Sequence, residues 1–507
     1  MIPLLSRQAV RGLDRDAEAR LGVPGLVLME NAGRGAFDAL RARFRGALER
    51  VVIVAGPGQN GGDGFVIARH LLQAGNRPKV FLLGTASALT GDAAHNARIL
   101  SALELPIVEL SAGELMPLAF ALQTATLIVD AVFGTGLARP VSGVFADAIE
   151  LMQHHAAPLV ALDLPSGVDA DTGAVLGCAP RAALTITFAA HKRGLHQHPA
   201  AELAGEIVCA PIGVPLPADV IASSAGLLEA SDVSDWIAPR APDAHKGSSG
   251  HVLVVAGAPG RTGAALLAGL GALRAGAGLV TIATHAAARA ALDQKVIELM
   301  TDALPSGADE ALAHVHALAK TRQSAVIGPG FGTDPDAIAF LRALAIELPV
   351  PCVLDADALT ALGTDHAFLQ RAAAPRVLTP HPGEAARMLG VGTAEVQADR
   401  FAAAQTLASQ TSAIVVLKGS RTIIASPSAP PRVCPTGTPA MAVAGTGDVL
   451  AGALGALLAQ MEPLLAACAA TYLHGFAGQL ATPHDRGLLA SELAAALPAA
   501  LSACRQG

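Results

Sequence analysis

Residues 56–64 read GPGQNGGDG and lie between the apolar run VVIVA and the helical pattern FVIARHLLQAG. A strand followed by a glycine loop that leads into a helix is typical of a dinucleotide-binding turn. Gly56, Gly58 and Gly61 fit the Gly-x-Gly-x-x-Gly spacing of such a turn. A hydride-transferring enzyme should also carry an acidic residue at the end of the next strand, where it holds a ribose. That strand reads KVFLLGTAS and has no acid. The loop therefore predicts a bound nucleotide and disfavours a dehydrogenase.

Short apolar runs alternate with helical stretches from this loop to about residue 215. This alternation predicts a doubly wound parallel sheet of the Rossmann-like α/β class. The pattern lapses where Pro, Ser and Asp accumulate, and a second α/β alternation then begins with GHVLVVAG. We expect one domain at residues 1–220, a linker at 221–240 and a second domain at 241–507.

The composition supports two compact cores and excludes several classes of protein. The chain has 507 residues, of which 52% are hydrophobic and 15% charged, which is typical of folded α/β domains and not of disorder. A net charge of -7 without a Lys/Arg run argues against nucleic-acid binding. The six cysteines form no C-x-x-C pair, and we find neither a signal-peptide pattern nor a membrane-type segment. We expect a cytoplasmic protein with reduced thiols.

Polar side chains follow three predicted strands of the first half: Asn60 and Asp63, then Asp130, then Asp163 and Ser166. The carboxyl ends of parallel strands line one crevice, so these groups should converge on one ligand. Their oxygens suit a hard cation, and the amides at the helix start suit a phosphate. The competing interpretation is that each loop is only a tight turn between a strand and a helix.

In the second half, GTGD at residues 445–448 precedes a strongly apolar helix. Its amides would form an anion site, and Asp448 could act as a general base or merely cap the helix. Lys418 follows an apolar strand, where it could either bind a phosphate or be solvated. His381 lies in a rigid turn at a strand end, where it could either contact a ligand or have a structural role. No P-loop sequence occurs. HKRGLHQH, residues 191–198, offers a His-x-His pair for a metal without a third ligand at fixed spacing.

Taken together, these stretches closely resemble the bifunctional NAD(P)H-hydrate repair enzymes, in which an epimerase domain precedes an ADP-dependent dehydratase domain. MENAG, GPGQNGGDG, DAVFGTGLARP, DLPSGVDADTG and IGVP look like the epimerase half. HKGSSGHVLVVAG, GAGLV, IGPGFG, DADAL, TPHPGE, LKGSRT and AGTGDVLAG look like the dehydratase half, which is similar to ribokinase-like kinases. The match covers nearly the whole chain, and both motif series occur in the family's order.

The resemblance implies that the first domain epimerises the R and S hydrates of NADH and NADPH (NADHX and NADPHX), with Asp163 as a catalytic residue. The hydrate-binding residues that it implies here are Gln59, Asn60, Gly61, Gly62, Asp63, Gly134, Thr135, Gly136, Leu137, Ala138, Arg139, Pro140 and Asp163. It also implies a potassium ion held by Asn60, Asp130 and Ser166.

For the second, ribokinase-like α/β domain, the resemblance implies dehydration of the S hydrate at the expense of ADP, with Mg²⁺ as the phosphate partner. Asp448 would help the hydrate's hydroxyl attack the terminal phosphoryl group, and the phosphate ester would then eliminate. The implied hydrate contacts are Ala265, Gly330, His381 and Asp448. The implied ADP-binding residues are Lys418, Gly419, Ser420, Arg421, Thr422 and Gly447. A homo-oligomer is expected from the resemblance alone.

Three positions depart from the family's usual pattern. Gln59 stands where Asn is common, Ser249 replaces a frequent aromatic residue and Thr438 replaces a frequent Asn. These changes leave details of nucleotide contact open. Two alternatives to the repair function also remain open: a vitamin or sugar kinase fused to a nucleotide-binding module, and a first half that is a non-catalytic binding scaffold.

Overall fold

The computed structural model describes residues 1–506, which divide into two compact units. The N-terminal unit runs from Pro3 to Ala225, and the C-terminal unit runs from Gly226 onward and includes Met1 and Ile2. The division falls inside the stretch 221–240, where the alternation of strands and helices lapses in the sequence.

The N-terminal unit alternates strands and helices along most of its length. Its strands are β1 (Ile2–Leu5), β2 (Val51–Ala55), β3 (Lys79–Leu83), β4 (Ile107–Leu110), β5 (Leu127–Ala131), β6 (Leu159–Leu162), β7 (Leu184–Phe188), β8 (His191–Lys192) and β9 (Glu206–Ala210). Its helices are α1 (Arg7–Ala19), α2 (Gly25–Arg43), α3 (Gln59–Gln73), α4 (Gly91–Ala102), α5 (Met116–Leu122), α6 (Val144–Gln153), α7 (Ala200–Leu203) and α8 (Ala218–Ser223).

The main sheet of this unit has the strand order β4-β3-β2-β5-β6-β7-β9, and every neighbouring pair is parallel. Val51, Ile53 and Ala55 of β2 pack into the core on one face, and Val52 and Val54 pack on the other. Burial on both faces explains why this strand reads as an unbroken apolar run. The strand order reverses between β2 and β5, so the loops after these strands open a crevice. The predicted doubly wound sheet is confirmed.

The C-terminal unit has the same layered construction with a larger sheet. Its strands are β10 (Ala225–Leu227), β11 (His251–Val255), β12 (Leu279–His285), β13 (Met300–Leu304), β14 (Ser324–Ile327), β15 (Cys352–Leu354), β16 (Arg376–Leu378), β17 (Ile414–Leu417), β18 (Ile423–Ala425) and β19 (Arg432–Val433). Its helices are α9 (Ala230–Trp236), α10 (Thr262–Arg274), α11 (Ala286–Asp293), α12 (Ala308–Ala319), α13 (Pro335–Glu347), α14 (Asp357–Leu362), α15 (Pro382–Leu389), α16 (Thr393–Ala398), α17 (Arg400–Thr411), α18 (Thr446–Leu458), α19 (Pro463–Ala481) and α20 (Ala490–Cys504).

Strands β13-β12-β11-β14-β15-β16-β17 of this unit are parallel neighbours in that order. β18 and β19 then extend the sheet in antiparallel fashion, and β10 pairs parallel to β19. Helices α10 and α18 pack closely against each other. The loops after β11, β14, β15, β16 and β17 therefore meet at one edge of the sheet, close to the start of α18.

Helix α19 is the one helix in residues 1–506 that is long and apolar enough to cross a membrane by length and composition. The structure places 67% of its most apolar window inside the protein. Its apolar character is therefore accounted for by the core of the C-terminal unit, where Cys468, Ala469 and Leu473 pack.

Candidate active sites

The glycine loop of the N-terminal unit brings a helix start very close to two strand ends. Gly58 precedes the first helical residue, Gln59. A Cβ atom added to Gly56 would collide with the carbonyl oxygen of Val132, and one added to Gly61 would collide with the carbonyl oxygen of Gly56. Both glycines are therefore required by close backbone approach, and the start of α3, at Gln59 and Asn60, borders the crevice.

A cavity of about 740 Å³ opens at this point. It lies where the strand order reverses, the position at which doubly wound sheets bind ligands. The predicted residues that line it are Gln59, Asn60, Asp63, Gly134, Thr135, Gly136, Leu137, Ala138, Arg139 and Asp163. Of the remaining predicted contacts, Gly61 and Gly62 are buried beneath the lining and Pro140 is exposed.

Asp163 is held firmly at the wall of this cavity. Its backbone adopts a left-handed conformation (φ 64°), which costs a non-glycine residue about 1 kcal/mol or more and is commonest at functional sites. One carboxylate oxygen accepts the Thr135 amide at 2.8 Å, and the other lies 2.5 Å from the ammonium of Lys192. That ammonium is only 1% exposed and also donates to the Thr187 hydroxyl at 2.9 Å and the Phe188 carbonyl at 2.8 Å. Asp163 is therefore fixed as one member of a buried ion pair.

Sequence reasoning missed Lys192, because the histidines around it drew attention to a metal. In the structure, the imidazoles of His191 and His196 stack at 5.1 Å, with Nδ1 of the first 2.9 Å from Nε2 of the second. Within residues 1–506, no group of three His, Cys, Asp or Glu side chains is arranged to hold a metal. The signal available in the sequence was a lysine shortly after the apolar strand LTITF, separated from it only by Ala189, Ala190 and His191; a lysine buried there requires a partner.

Two further carboxyl groups line the same cavity. Burial raises the pKa of Asp63 well above its ordinary value; the nearby carboxylates of Asp163 and Asp14 raise it further, and Lys192 opposes them. Burial likewise raises the pKa of Asp14, which was also missed because it lies on α1, far away in sequence. The cavity therefore combines several acids with one buried ammonium.

The residues predicted to hold potassium lie beneath these loops. Asp130 is fully buried, and its carboxylate accepts the Ser166 amide at 2.8 Å, the Ser166 hydroxyl at 2.6 Å and the Val132 amide at 3.2 Å. Burial raises the pKa of Asp130 to about 6, although these hydrogen bonds oppose the shift. The Asn60 side-chain amide donates to the Leu162 carbonyl at 3.2 Å. No ion pair involves Asp130 within residues 1–506, and no cation acts on its pKa, so this oxygen-rich set fits a hard cation.

In the C-terminal unit, Asp448 lies in the first turn of α18. Gly445 precedes the helix in a left-handed conformation (φ 91°), and buried His474 donates through Nε2 to the Thr446 carbonyl at 2.8 Å. Burial lowers the pKa of His474 to about 4. Burial raises the pKa of Asp448 to about 6; Asp355 adds to the shift and Lys418 opposes it. Asp448 is therefore a carboxyl group poised close to neutral pH.

Lys418 reaches the same point from the end of β17. Its ammonium lies 2.9 Å from Asp355 and 3.9 Å from Glu384, and a Cβ atom added to Gly447 would lie 3.5 Å from it. Burial acts to lower the pKa of Lys418, but the surrounding carboxylates outweigh it and raise the pKa. A charged lysine beside the start of a helix is an arrangement that binds phosphate. The structure thus places Lys418, Gly447 and Asp448 together.

The rest of the loop 418–422 is shaped by Arg400, which sequence reasoning missed. This buried guanidinium donates to the Leu417 carbonyl at 3.0 Å and packs against Gly419, whose φ is 141°. Arg421 is half-buried with φ 56°, and the Thr422 hydroxyl donates to the Gly419 carbonyl at 2.9 Å. The loop therefore has a defined conformation, and Ser420 is exposed on it.

The three other predicted hydrate contacts differ in their surroundings. His381 is more than half exposed and caps α15, with Nδ1 accepting the amides of Gly383 at 3.0 Å and Glu384 at 3.2 Å. Gly330 has φ 59° and lies against the Arg261 carbonyl. Ala265 is fully buried on α10. His381 joins the Lys418 cluster through Glu384, which sequence reasoning also missed, although its motif TPHPGE was noted.

Comparison with known families covers both units. Residues 25–194 match the family model described as YjeF-related protein N-terminus, and residues 252–499 match the one described as NAD(P)H-hydrate dehydratase. The chain is 41% identical over 501 residues to a bifunctional NAD(P)H-hydrate repair enzyme of Moorella thermoacetica, covering 96% of this chain and 94% of that protein. It is 34% identical to the protein of that name from Escherichia coli, covering 96% and 92%.

A solved structure resembles the C-terminal part of the chain. It is an ADP/ATP-dependent NAD(P)H-hydrate dehydratase from Bacillus subtilis, co-crystallised with ATP and Mg²⁺. The two share 32% identity, with a TM-score of 0.50 over 55% of this chain and 99% of that one. The ribokinase-like α/β fold expected for the second half is confirmed.

Proposed function

Since the chain belongs to the family of bifunctional NAD(P)H-hydrate repair enzymes, we propose that its two units divide the repair between two separate sites. Residues 1–220 would interconvert the R and S hydrates of NADH and NADPH, and residues 241–507 would dehydrate the S hydrate at the expense of ADP, with 221–240 as the linker. The observation that carries this proposal is that each unit holds its own cluster of buried charged side chains at the carboxyl ends of its strands.

In the first site, the hydrate would occupy the 740 Å³ cavity, with its phosphates toward the amides at the start of α3 and its ring toward Asp163. Potassium would be held by Asn60, Asp130 and Ser166. Its chemical contribution would be to compensate the buried charge of Asp130 and so fix the loop that follows β5. The residues that contact the hydrate would then be fixed in place before binding.

In the second site, ADP would place its phosphates beside Lys418 and the start of α18. Asp448 would accept the proton of the hydrate's hydroxyl while that oxygen forms a bond to the terminal phosphorus of ADP and the bond to AMP breaks. Loss of phosphate and of a proton from the neighbouring ring carbon then restores NAD(P)H. Phosphorylation matters because phosphate leaves far more readily than hydroxide.

Mg²⁺ would assist at the same place. Asp355 and Glu384 present carboxylate oxygens near Lys418, and such oxygens are the ligands that Mg²⁺ prefers. Its contribution would be to neutralise charge on the phosphates. Two further properties stay predictions, a cytoplasmic location and a homo-oligomeric state, and cell fractionation and light scattering would test them.

The experiment that tests the proposal follows the reduced-nicotinamide absorbance band after a mixture of both hydrate epimers receives protein, ADP and Mg²⁺. Full recovery above the spontaneous rate is expected, because the S epimer is consumed and the R epimer is inverted to replace it. Recovery that stalls partway would show that the first site does not epimerise. No recovery with ADP or ATP would overturn the assignment of the second site and favour a kinase of another small hydroxylated molecule.

A further inference from the structure

Asp63 differs from the other buried carboxyl groups of the N-terminal unit in having no partner. Its side chain is 8% exposed and lines the cavity, yet no residue among 1–506 donates a hydrogen bond to its carboxyl group or pairs with it. Asp130 and Asp163, by contrast, each have several donors. A buried polar group without a partner is costly unless a ligand or solvent in the cavity satisfies it.

Arg11, Glu18, Asp92 and Arg139 also line the cavity, but the charged groups that act on the pKa of Asp63 come from three elements. Asp14 lies on α1, Asp163 follows β6 and Lys192 lies on β8. The Lys192 ammonium is already engaged by Asp163 at 2.5 Å, so it compensates that carboxylate first. Burial and the two carboxylates keep the pKa of Asp63 well above its ordinary value. The cavity therefore presents one carboxyl group whose surroundings favour its protonated form and a second, Asp163, that is held in an ion pair.

An acid and a base in one site would accelerate the epimerisation of a hydrated nicotinamide. The added hydroxyl sits on the ring carbon beside the ring nitrogen, and the nitrogen lone pair can expel it. A neutral hydroxyl leaves slowly unless an acid protonates it, and a water molecule adds faster when a base removes its proton. Two carboxyl groups with different environments are the usual way in which one site supplies both.

We infer that Asp63 is a further catalytic residue of the N-terminal site, the acid that protonates the departing hydroxyl, while Asp163 takes the proton of the water that adds to the opposite ring face. The carbon–oxygen bond breaks and water leaves; a new carbon–oxygen bond forms, and Asp63 ends as carboxylate with Asp163 protonated. In the reverse direction the two exchange roles. Solvent in the open cavity returns the proton between turnovers. Lys192 acts as a positioning residue that holds the Asp163 carboxyl group in place through their close contact.

This inference rests on the proposed epimerase function, so its test measures the two separately. Purified R hydrate is incubated with the full chain without ADP, the S epimer is measured by chromatography, and the protein-free rate is subtracted. We expect Asp63→Asn to lower kcat for interconversion by about 100-fold or more while KM changes little. Asp38→Asn, which changes an exposed carboxylate on α2, serves as the matched control and should keep the wild-type rate.

The dehydratase reaction of the same protein on S hydrate reports whether the chain is folded and should be unchanged in all variants. Asp63→Glu should retain part of the rate and shift the alkaline limb of the pH profile, because the acid itself has been replaced. Wild-type kcat in Asp63→Asn, or an unshifted alkaline limb in Asp63→Glu, would overturn the inference. A wild-type protein that does not interconvert the epimers would instead refute the proposed function.

Discussion

The ion pair between Lys192 and Asp163 has a sharp energetic consequence. Removing one partner of a buried pair leaves an uncompensated charge, which typically costs about 3–5 kcal/mol. We therefore expect Lys192→Met to lower the free energy of unfolding of the N-terminal unit by about that amount and to abolish epimer interconversion. Lys79→Met, which removes an exposed lysine from β3, should have little effect. Urea denaturation compares the two variants, and equal midpoints would show that the pair is not stabilising.

Asp448 gives the second site a defined pH dependence. A general base works only when ionised, and burial raises the pKa of Asp448 to about 6. Dehydratase kcat should therefore fall as the pH is lowered through about 6 and level off above it. Asp448→Asn should lower kcat by about 10²–10⁴-fold and leave epimer interconversion unchanged. Asp485→Asn, an exposed carboxylate of the same unit, is the control and should retain the wild-type profile.

The same raised pKa predicts that the stability of the folded protein decreases with rising pH, whereas dehydratase kcat increases. The folded protein holds the Asp448 proton more tightly than the unfolded chain, so stability falls as the pH rises through about 6. Asp448→Asn removes this cost and should be at least as stable as the wild type at pH 8. A clear loss of stability at pH 8 would mean that the carboxylate supports the fold and would weaken its assignment as a base.

Asp130 provides the test for potassium. Replacing potassium with choline at constant ionic strength should lower the Tm of the N-terminal unit and weaken hydrate binding, because the buried carboxylate loses its counter-ion. Asp130→Asn should make both quantities independent of potassium. Asp147→Asn, an exposed carboxylate on α6, should leave the potassium effect intact. A potassium effect that persists in Asp130→Asn would exclude this site.

At the scale of elements, the start of α3 depends on one close backbone contact. Gly61→Ala would force a Cβ atom against the Gly56 carbonyl, and a backbone atom cannot give way as a side chain can. We expect a loss of about 1–3 kcal/mol and weaker hydrate binding. Gly58→Ala has no atom within 4 Å of the new Cβ and should be tolerated. Thermal unfolding distinguishes them, and similar Tm values would contradict the argument.

The sequence predicted the buried strands of both sheets well, and also the edge strand β9, but it missed one outermost strand in each sheet. VVIVA and HVLVV are buried on both faces and read as apolar runs, whereas β4 (IVEL) and β13 (MTDAL) are outermost in their sheets and partly exposed. An edge strand needs only one covered face and tolerates a Glu or Asp, so it lacks a recognisable run. A strand was therefore reliably predictable from the sequence where both of its faces are buried.

The functional residues were likewise predictable only where a local sequence pattern determines their position. Residues in strand-end loops, such as Asp63 and Asp163, were predicted because parallel strands bring their carboxyl ends together. Asp14 and Lys192 reach the cavity from α1 and from the short strand β8, and no local pattern reports such long-range contacts. Arg400 was missed for the same reason, since its guanidinium acts on a loop that follows a different element.

For the whole molecule, the confinement of each cluster to one unit predicts complementation. Above the spontaneous rate, the Asp163→Asn protein should restore NAD(P)H only from the S epimer of a mixed hydrate sample. The Asp448→Asn protein should restore no NAD(P)H from either epimer. Mixing the two should restore full recovery, because the S epimer released by one protein can diffuse to the other. A mixture no faster than Asp163→Asn alone would show that the epimer must pass within one chain.

The pairing of β1 with β8 sets Leu4 beside His191 and Leu5 beside Lys192. In translation, β1 is made well before β8, because almost the whole of the unit lies between the two strands in the sequence. Contacts between such distant segments form late, since the intervening chain must be closed first. A nascent chain that ends before residue 191 would already contain the glycine loop and Asp163 but no ammonium beside them. The first site therefore becomes functional only near the end of that unit's synthesis.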